Sequence, residues 1–145
     1  WTFTDLEARL RPVALKVGLT GEAAIHEALR EAARLLERFR AHPLFAEIDA
    51  ALERHHEVPY VLGDDAGVID LLYRTPGGWA IADFKTDELR DESQLAAVLP
   101  KYRAQLERYV EAVTGQLNLP VRPQGQLVFL NLRGAVKMVR LEDGH

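Results

Sequence analysis

Asp70 lies in Val68-Ile69-Asp70-Leu71-Leu72-Tyr73 and Asp83 in Trp79-Ala80-Ile81-Ala82-Asp83-Phe84-Lys85, two apolar segments separated by Thr75-Pro76-Gly77-Gly78. Branched and aromatic residues favour a pleated strand and a Pro-Gly cluster favours a tight turn, so the spacing predicts an antiparallel hairpin. Both acids then sit in adjacent strands among apolar neighbours. A buried carboxylate is costly unless something positive accompanies it. Alternation along the second segment puts Asp83 and Lys85 on one face and Phe84 on the other. Two carboxylates and one ammonium therefore come together. Hard oxygen ligands of this kind suit Mg²⁺ or Mn²⁺, which keeps several waters and leaves coordination positions for a substrate oxygen. Taken alone, the same residues read equally well as a structural ion pair at a strand end.

The rest of the chain supplies the frame. From Glu22 to Phe39, Ile25, Ala28, Leu29, Ala32, Leu35, Leu36 and Phe39 recur at helical steps, with Thr20 as the expected N-cap. A second helical stretch is expected over Phe45 to Leu52, followed by an extended segment Glu57 to Leu62 whose Pro59 marks an edge or a strand start. Gly63 to Gly67 reads as a turn. Together with the two acid-bearing strands this gives a three-stranded antiparallel meander, with the first helix covering one side. Pro100 fits the first turn of a further helix, whose Tyr102, Leu106, Tyr109, Val110 and Val113 share a face before Gly115. Gln126 to Leu132 and Val136 to Leu141 are the last two predicted strands. The order α, three β, α, two β predicts a single α/β domain over 1–145, with a central mixed sheet flanked by helices.

A length of 145 residues and 48% hydrophobic content suffice for a core without staples. The chain has no cysteine, which excludes disulfides, thiolate nucleophiles and zinc-thiolate or iron-sulfur sites. No apolar run reaches the ~20 residues of a membrane span and no signal-like segment opens the chain, so a soluble, cytoplasmic protein with no membrane partner is expected. The net charge of −4 argues against a dominant basic surface for nucleic acid. It suits a module whose grip on a polyanion comes from elsewhere, and the start at Trp1 fits a piece of something longer.

Three motifs in order carry a resemblance. Gly67-Val68-Ile69-Asp70, then Asp83-Phe84-Lys85-Thr86-Asp87, then Gln105-Leu106-Glu107-Arg108-Tyr109 resemble the RecB-like nucleases of the PD-(D/E)XK superfamily. Those proteins carry an acid in G-x-I-D, an acid and lysine in D-[YF]-K-T and a Q-x-x-x-Y helix. The likeness runs from about residue 20 to 114 and implies a restriction-endonuclease-like core. It further implies that His26, on the helix before the sheet, joins Asp70 and Asp83 as a metal ligand, and that the Phe84 backbone carbonyl is another. Without the motifs His26 would pass as a structural histidine at the rim of an apolar stripe. Glu57, in an E-x-P segment, matches a supporting acid of the family; its side chain either faces the metal or holds a nearby Lys or Arg. Gln105 and Tyr109 stand one helical turn apart. The resemblance gives them contact with the DNA backbone or support of the Lys85 strand, against a solvated amide and a core aromatic. His55 and His56 read as surface residues, and His42 and His145 carry no signal.

What the resemblance implies chemically is Mg²⁺- or Mn²⁺-dependent hydrolysis of DNA phosphodiester bonds, with Asp70, Asp83, Lys85 and Glu57 at the catalytic centre. Lys85 would stabilise the charge that builds on the phosphate. The D-F-K-T-D form is most similar to the C-terminal nuclease domains of AddA- and RecB-type helicase subunits. The implied partners are single-stranded DNA and helicase domains of the same polypeptide or complex, in double-strand break repair and recombination. A catalytically inactive nuclease fold retained as a DNA-guiding or scaffold module is the alternative.

Overall fold

A computed structural model of the chain describes residues 21–142. The chain divides between Phe45 and Ala46 into two compact units. In the amino-terminal unit, α1 (Glu22–Arg40) buries Ile25, Leu29, Leu35 and Phe39, the apolar stripe that the helical spacing predicts. Gly21 occupies its N-cap position without a side-chain cap, and Thr20 lies outside the described residues. Phe39 and Phe45 meet edge to face at 5.7 Å. A short helix, α2 (Pro43–Asp49), leads from this unit into the next and begins and ends earlier than the expected Phe45 to Leu52 stretch. His42 explains the early start, because its Nδ1 accepts the Leu44 amide at 3.1 Å and so caps the turn.

The carboxy-terminal unit is a five-stranded sheet of β1 (Glu53–Leu62), β2 (Asp65–Thr75), β3 (Gly78–Lys85), β4 (Gln124–Leu132) and β5 (Ala135–Arg140), in that spatial order. Neighbours are antiparallel except β3 and β4, which run parallel because the helix α3 (Glu92–Gln116) connects them. The meander and the mixed α/β sheet are those the sequence predicts. The first turn is tighter than expected: Gly63 and Asp64 alone connect Leu62 to Asp65, with Gly63 at φ 60°. Gly67 is therefore inside β2, where a Cβ would stand 2.9 Å from the Tyr60 ring. Pro59 is tolerated because β1 is the sheet edge.

Helix α3 departs most from expectation. It starts at Glu92, not Pro100, and runs through the proline. Asp91 caps it, accepting the Gln94 amide at 2.9 Å while the Gln94 side chain accepts the Arg90 amide at 2.7 Å. That reciprocal cap and the burial of Leu95 outweigh the one amide hydrogen bond that Pro100 cannot make. Leu106, Tyr109, Val110 and Val113 pack on Ile81, Leu127 and Phe129 of the sheet, and the helix comes so near that a Cβ on Gly125 would lie 3.1 Å from Leu106 Cγ. Elsewhere in the unit, Tyr73 receives the Gln126 amide at 2.7 Å and donates to Glu47 at 3.1 Å, fastening the end of α2 to β2. No helix among the described residues is long and apolar enough to cross a membrane.

Candidate active site

Extending the β2–β3 register beyond its last pair, Leu71 with Ala82, puts Asp70 opposite Asp83. The backbone ladder stops there because the Phe84 amide donates to the Asp70 carboxylate at 2.9 Å. On the other side of β2 the ladder also skips Asp70, whose opposite residue Glu57 has a left-handed φ of 52°. The sheet thus opens around Asp70 on both sides. Its alternation is reset at the same point: Ile69 and Leu72, three residues apart, both join the core beneath α3, where strict alternation would place them on opposite faces.

Asp83 is 3% exposed, and its carboxyl is within hydrogen-bonding reach of Asp70. Burial first, then the hydrogen bond to Asp70, push its pKa from 3.8 up to about 7, against the attraction of Lys85. The Lys85 ammonium lies 3.0 Å from Asp83 Oδ2, near enough for an ion pair. Oδ2 is buried, and this ion pair is its contact in place of a hydrogen bond. Lys85 instead donates to Gln105 Oε1 at 2.8 Å and lies 4.1 Å from the centre of the Tyr102 ring. Tyr102 in turn donates to Asp87 at 2.7 Å.

Residues 3–143 match the family described as the PD-(D/E)XK nuclease superfamily. The chain belongs to this superfamily. Over 94 residues, 65% of the chain, it is 32% identical to an ATP-dependent helicase/nuclease subunit of Desulforudis audaxviator (strain MP104C). It spans 7% of that protein's length. The fold brings Asp70 together with Asp83 and Lys85, residues of the motifs on which the resemblance rests.

The remaining predicted residues fall into place unevenly. Gln105 reaches Lys85, which makes it a support of the lysine. Tyr109 is 6% exposed and packs edge to face on Tyr60 at 5.1 Å. Burial, then Asp83, push its phenol up to about 12, keeping it neutral. Glu57 is exposed opposite Asp70. Phe84 lends its amide to Asp70. His26 is exposed on α1, in the amino-terminal unit. Among the described residues no group of three or more His, Asp or Glu side chains is gathered as a metal cage, so the acids stand as a pair. His55 is a surface residue paired with Glu53 at 2.8 Å, while His56 is half-buried. His145 lies outside the described residues. Tyr102 and Asp87 are the site neighbours that sequence reasoning passed over; Tyr102 stands three residues before Gln105, a spacing that shares a helix face and could have flagged it.

The pair fits a divalent cation. Two carboxyls within hydrogen-bonding reach of each other, one of them with a buried oxygen that has no hydrogen bond, form a hard donor set that a small cation would satisfy.

Proposed function

We propose that this chain is a Mg²⁺- or Mn²⁺-dependent deoxyribonuclease that cuts single-stranded DNA as the nuclease part of a larger helicase-nuclease processing double-strand breaks. The observation that carries the reading is the buried Asp83 carboxyl, within reach of a second carboxyl and 3.0 Å from an ammonium, with its Oδ2 making no hydrogen bond. Asp70 and Asp83 would hold the cation; His26 and the Phe84 carbonyl join them on the strength of the sequence pattern. A bound divalent cation polarises a phosphate oxygen and lowers the pKa of a coordinated water.

Hydrolysis forms one P–O bond from water and breaks one bridging P–O bond, and negative charge builds on the phosphate between the two events. Lys85, beside the two acids, would meet that charge. Gln105 holds it from a neutral oxygen, which adds no second negative charge to that of Asp83. Glu57, exposed beside the opening in the sheet, serves as the supporting acid. The helicase context rests on the relative, which is named as part of a helicase/nuclease and is far longer than this chain. A motor that delivers the strand would also remove the objection raised by the net charge of −4.

Digestion of end-labelled linear and closed circular single-stranded DNA, with and without Mg²⁺ or Mn²⁺, tests the proposal. Metal-dependent products are expected, from both substrates if attack is internal and from the linear one alone if it starts at an end. Binding of DNA with no products under any metal condition would instead establish the inactive guiding module.

A further inference from the structure

Lys85 has three partners of different kinds: the Asp83 carboxylate, the Gln105 amide oxygen and the face of the Tyr102 ring. A carboxylate attracts the ammonium but also neutralises it, and Asp83 is one of the two acids proposed to take up a cation. An amide oxygen and a ring face hold an ammonium without cancelling its charge. The ring face is itself fixed. Its hydroxyl donates to Asp87 at 2.7 Å, and its edge tilts against buried Phe129 with the centroids 6.1 Å apart. The Asp87 segment is tied to the sheet next door, because the Leu89 amide donates to Asn131 at 3.0 Å and the Arg133 amide to Leu89 at 2.8 Å. Burial of the lysine, which is 14% exposed at its side chain, strengthens the contact by removing competing water. Exposed Lys101 stands farther from the same ring, at 5.6 Å.

We propose that Tyr102 is a positioning residue for Lys85: its ring face, seated against Phe129, holds the ammonium toward the Asp70–Asp83 pair without adding a negative charge beside it. The kinetic consequence rests on the nuclease reading of the site. The placement itself does not.

The test has a spectroscopic and a kinetic arm. In the metal-free protein, carbon-edited NMR of the lysine Cε protons reads whether Lys85 sits over a ring, since protons above an aromatic face are displaced upfield. The displacement is expected in the wild type and in Tyr102→Phe, and is expected to vanish in Tyr102→Leu and Tyr102→Met, the second of which fills more of the vacated space. Single-turnover cleavage at saturating Mn²⁺ and DNA should stay within about threefold of wild type in Tyr102→Phe. It should fall by about ten- to thirtyfold in the two aliphatic variants, with Mn²⁺ affinity unchanged. A wild type without the displacement, or aliphatic variants that cut at the wild-type rate, overturns the proposal. So does a loss of rate that comes only with lost Mn²⁺ affinity, which would make Tyr102 a structural residue. A wild-type protein that shows the displacement yet cuts no DNA counts against the nuclease reading and leaves the lysine clamp standing.

Discussion

Asp83 ionises against two opposing influences, the protein interior and the Asp70 carboxyl, and Lys85 offsets them only in part. Its folded pKa is raised, from 3.8 to about 7, so the folded state keeps a proton that the unfolded chain releases. Stability from this group is fully present below the unfolded value and is lost as pH rises through the folded one. Metal-free protein should therefore lose on the order of 2–4 kcal/mol of stability as pH rises from about 4 to about 7. Denaturant unfolding in a chelator across that range checks it. Asp83→Asn should flatten the slope, and Mn²⁺ should restore the wild type at neutral pH by occupying the folded site. A wild-type curve with no fall over that interval would mean that the acid is ionised at little cost. The convergence of Asp70, Asp83 and Lys85 was legible from the alternation of one strand and the turn before it. Gln105 beside Lys85 was one of two roles that the resemblance offered, whereas the Tyr102 ring face was not legible, because the facing of its helix is set by packing and by no local pattern.

At the level of elements, the hairpin of β1 and β2 shows how a local rule and its exception place the site. The paired strands and the sheet order follow from apolar runs and turn residues. The interruption at Glu57 and Asp70 does not, since a left-handed glutamate in a strand has no signature in sequence. The start of α3 differs from expectation for a physical reason: Pro100 is a common first-turn residue, whereas the Asp91 cap that begins the helix outweighs it. Gly67 is the residue of the G-x-I-D motif whose requirement the structure explains. A methyl group there would meet the Tyr60 ring at 2.9 Å, and that ring is backed by Tyr109 and held by a 3.0 Å hydrogen bond to Asp65. Gly67→Ala should cost about 1–3 kcal/mol by overpacking, measured by denaturant unfolding. A smaller cost of Gly67→Ala in a Tyr60→Leu background than in the wild type would tie the cost to that ring.

On the scale of the whole molecule, the chain belongs to the PD-(D/E)XK nuclease superfamily, and the proposed reading puts its cation at the acid pair. The contribution of the amino-terminal unit turns on His26, which only the sequence pattern puts among the ligands. Calorimetric titration with Mn²⁺ distinguishes its part from that of the acids. Asp70→Ala should abolish measurable binding, and His26→Ala should weaken it by about ten- to a hundredfold, the range for loss of an imidazole or of its orienting support. Equal affinity in His26→Ala and wild type would remove the histidine from the site and leave the two carboxylates standing. The small share of the relative that this chain spans also bears on its grip. With a net charge of −4, the isolated chain should bind single-stranded DNA weakly even where its chemistry is intact, so cleavage is best read at saturating strand concentration.

That condition sets the measurement on which the account turns. Lys85 is the residue assigned to charge on the phosphate and to no metal bond. Single-turnover cleavage by Lys85→Ala, at saturating Mn²⁺ and DNA, isolates the chemical step from binding and from product release. The predicted result is a fall of about 10²- to 10³-fold in rate with the fold and Mn²⁺ affinity retained, the loss expected when a preorganised charge is removed from a developing oxyanion. Cleavage by Lys85→Ala at the wild-type rate would contradict it, and would reduce the Asp83–Lys85 contact to an ion pair within one strand of the sheet.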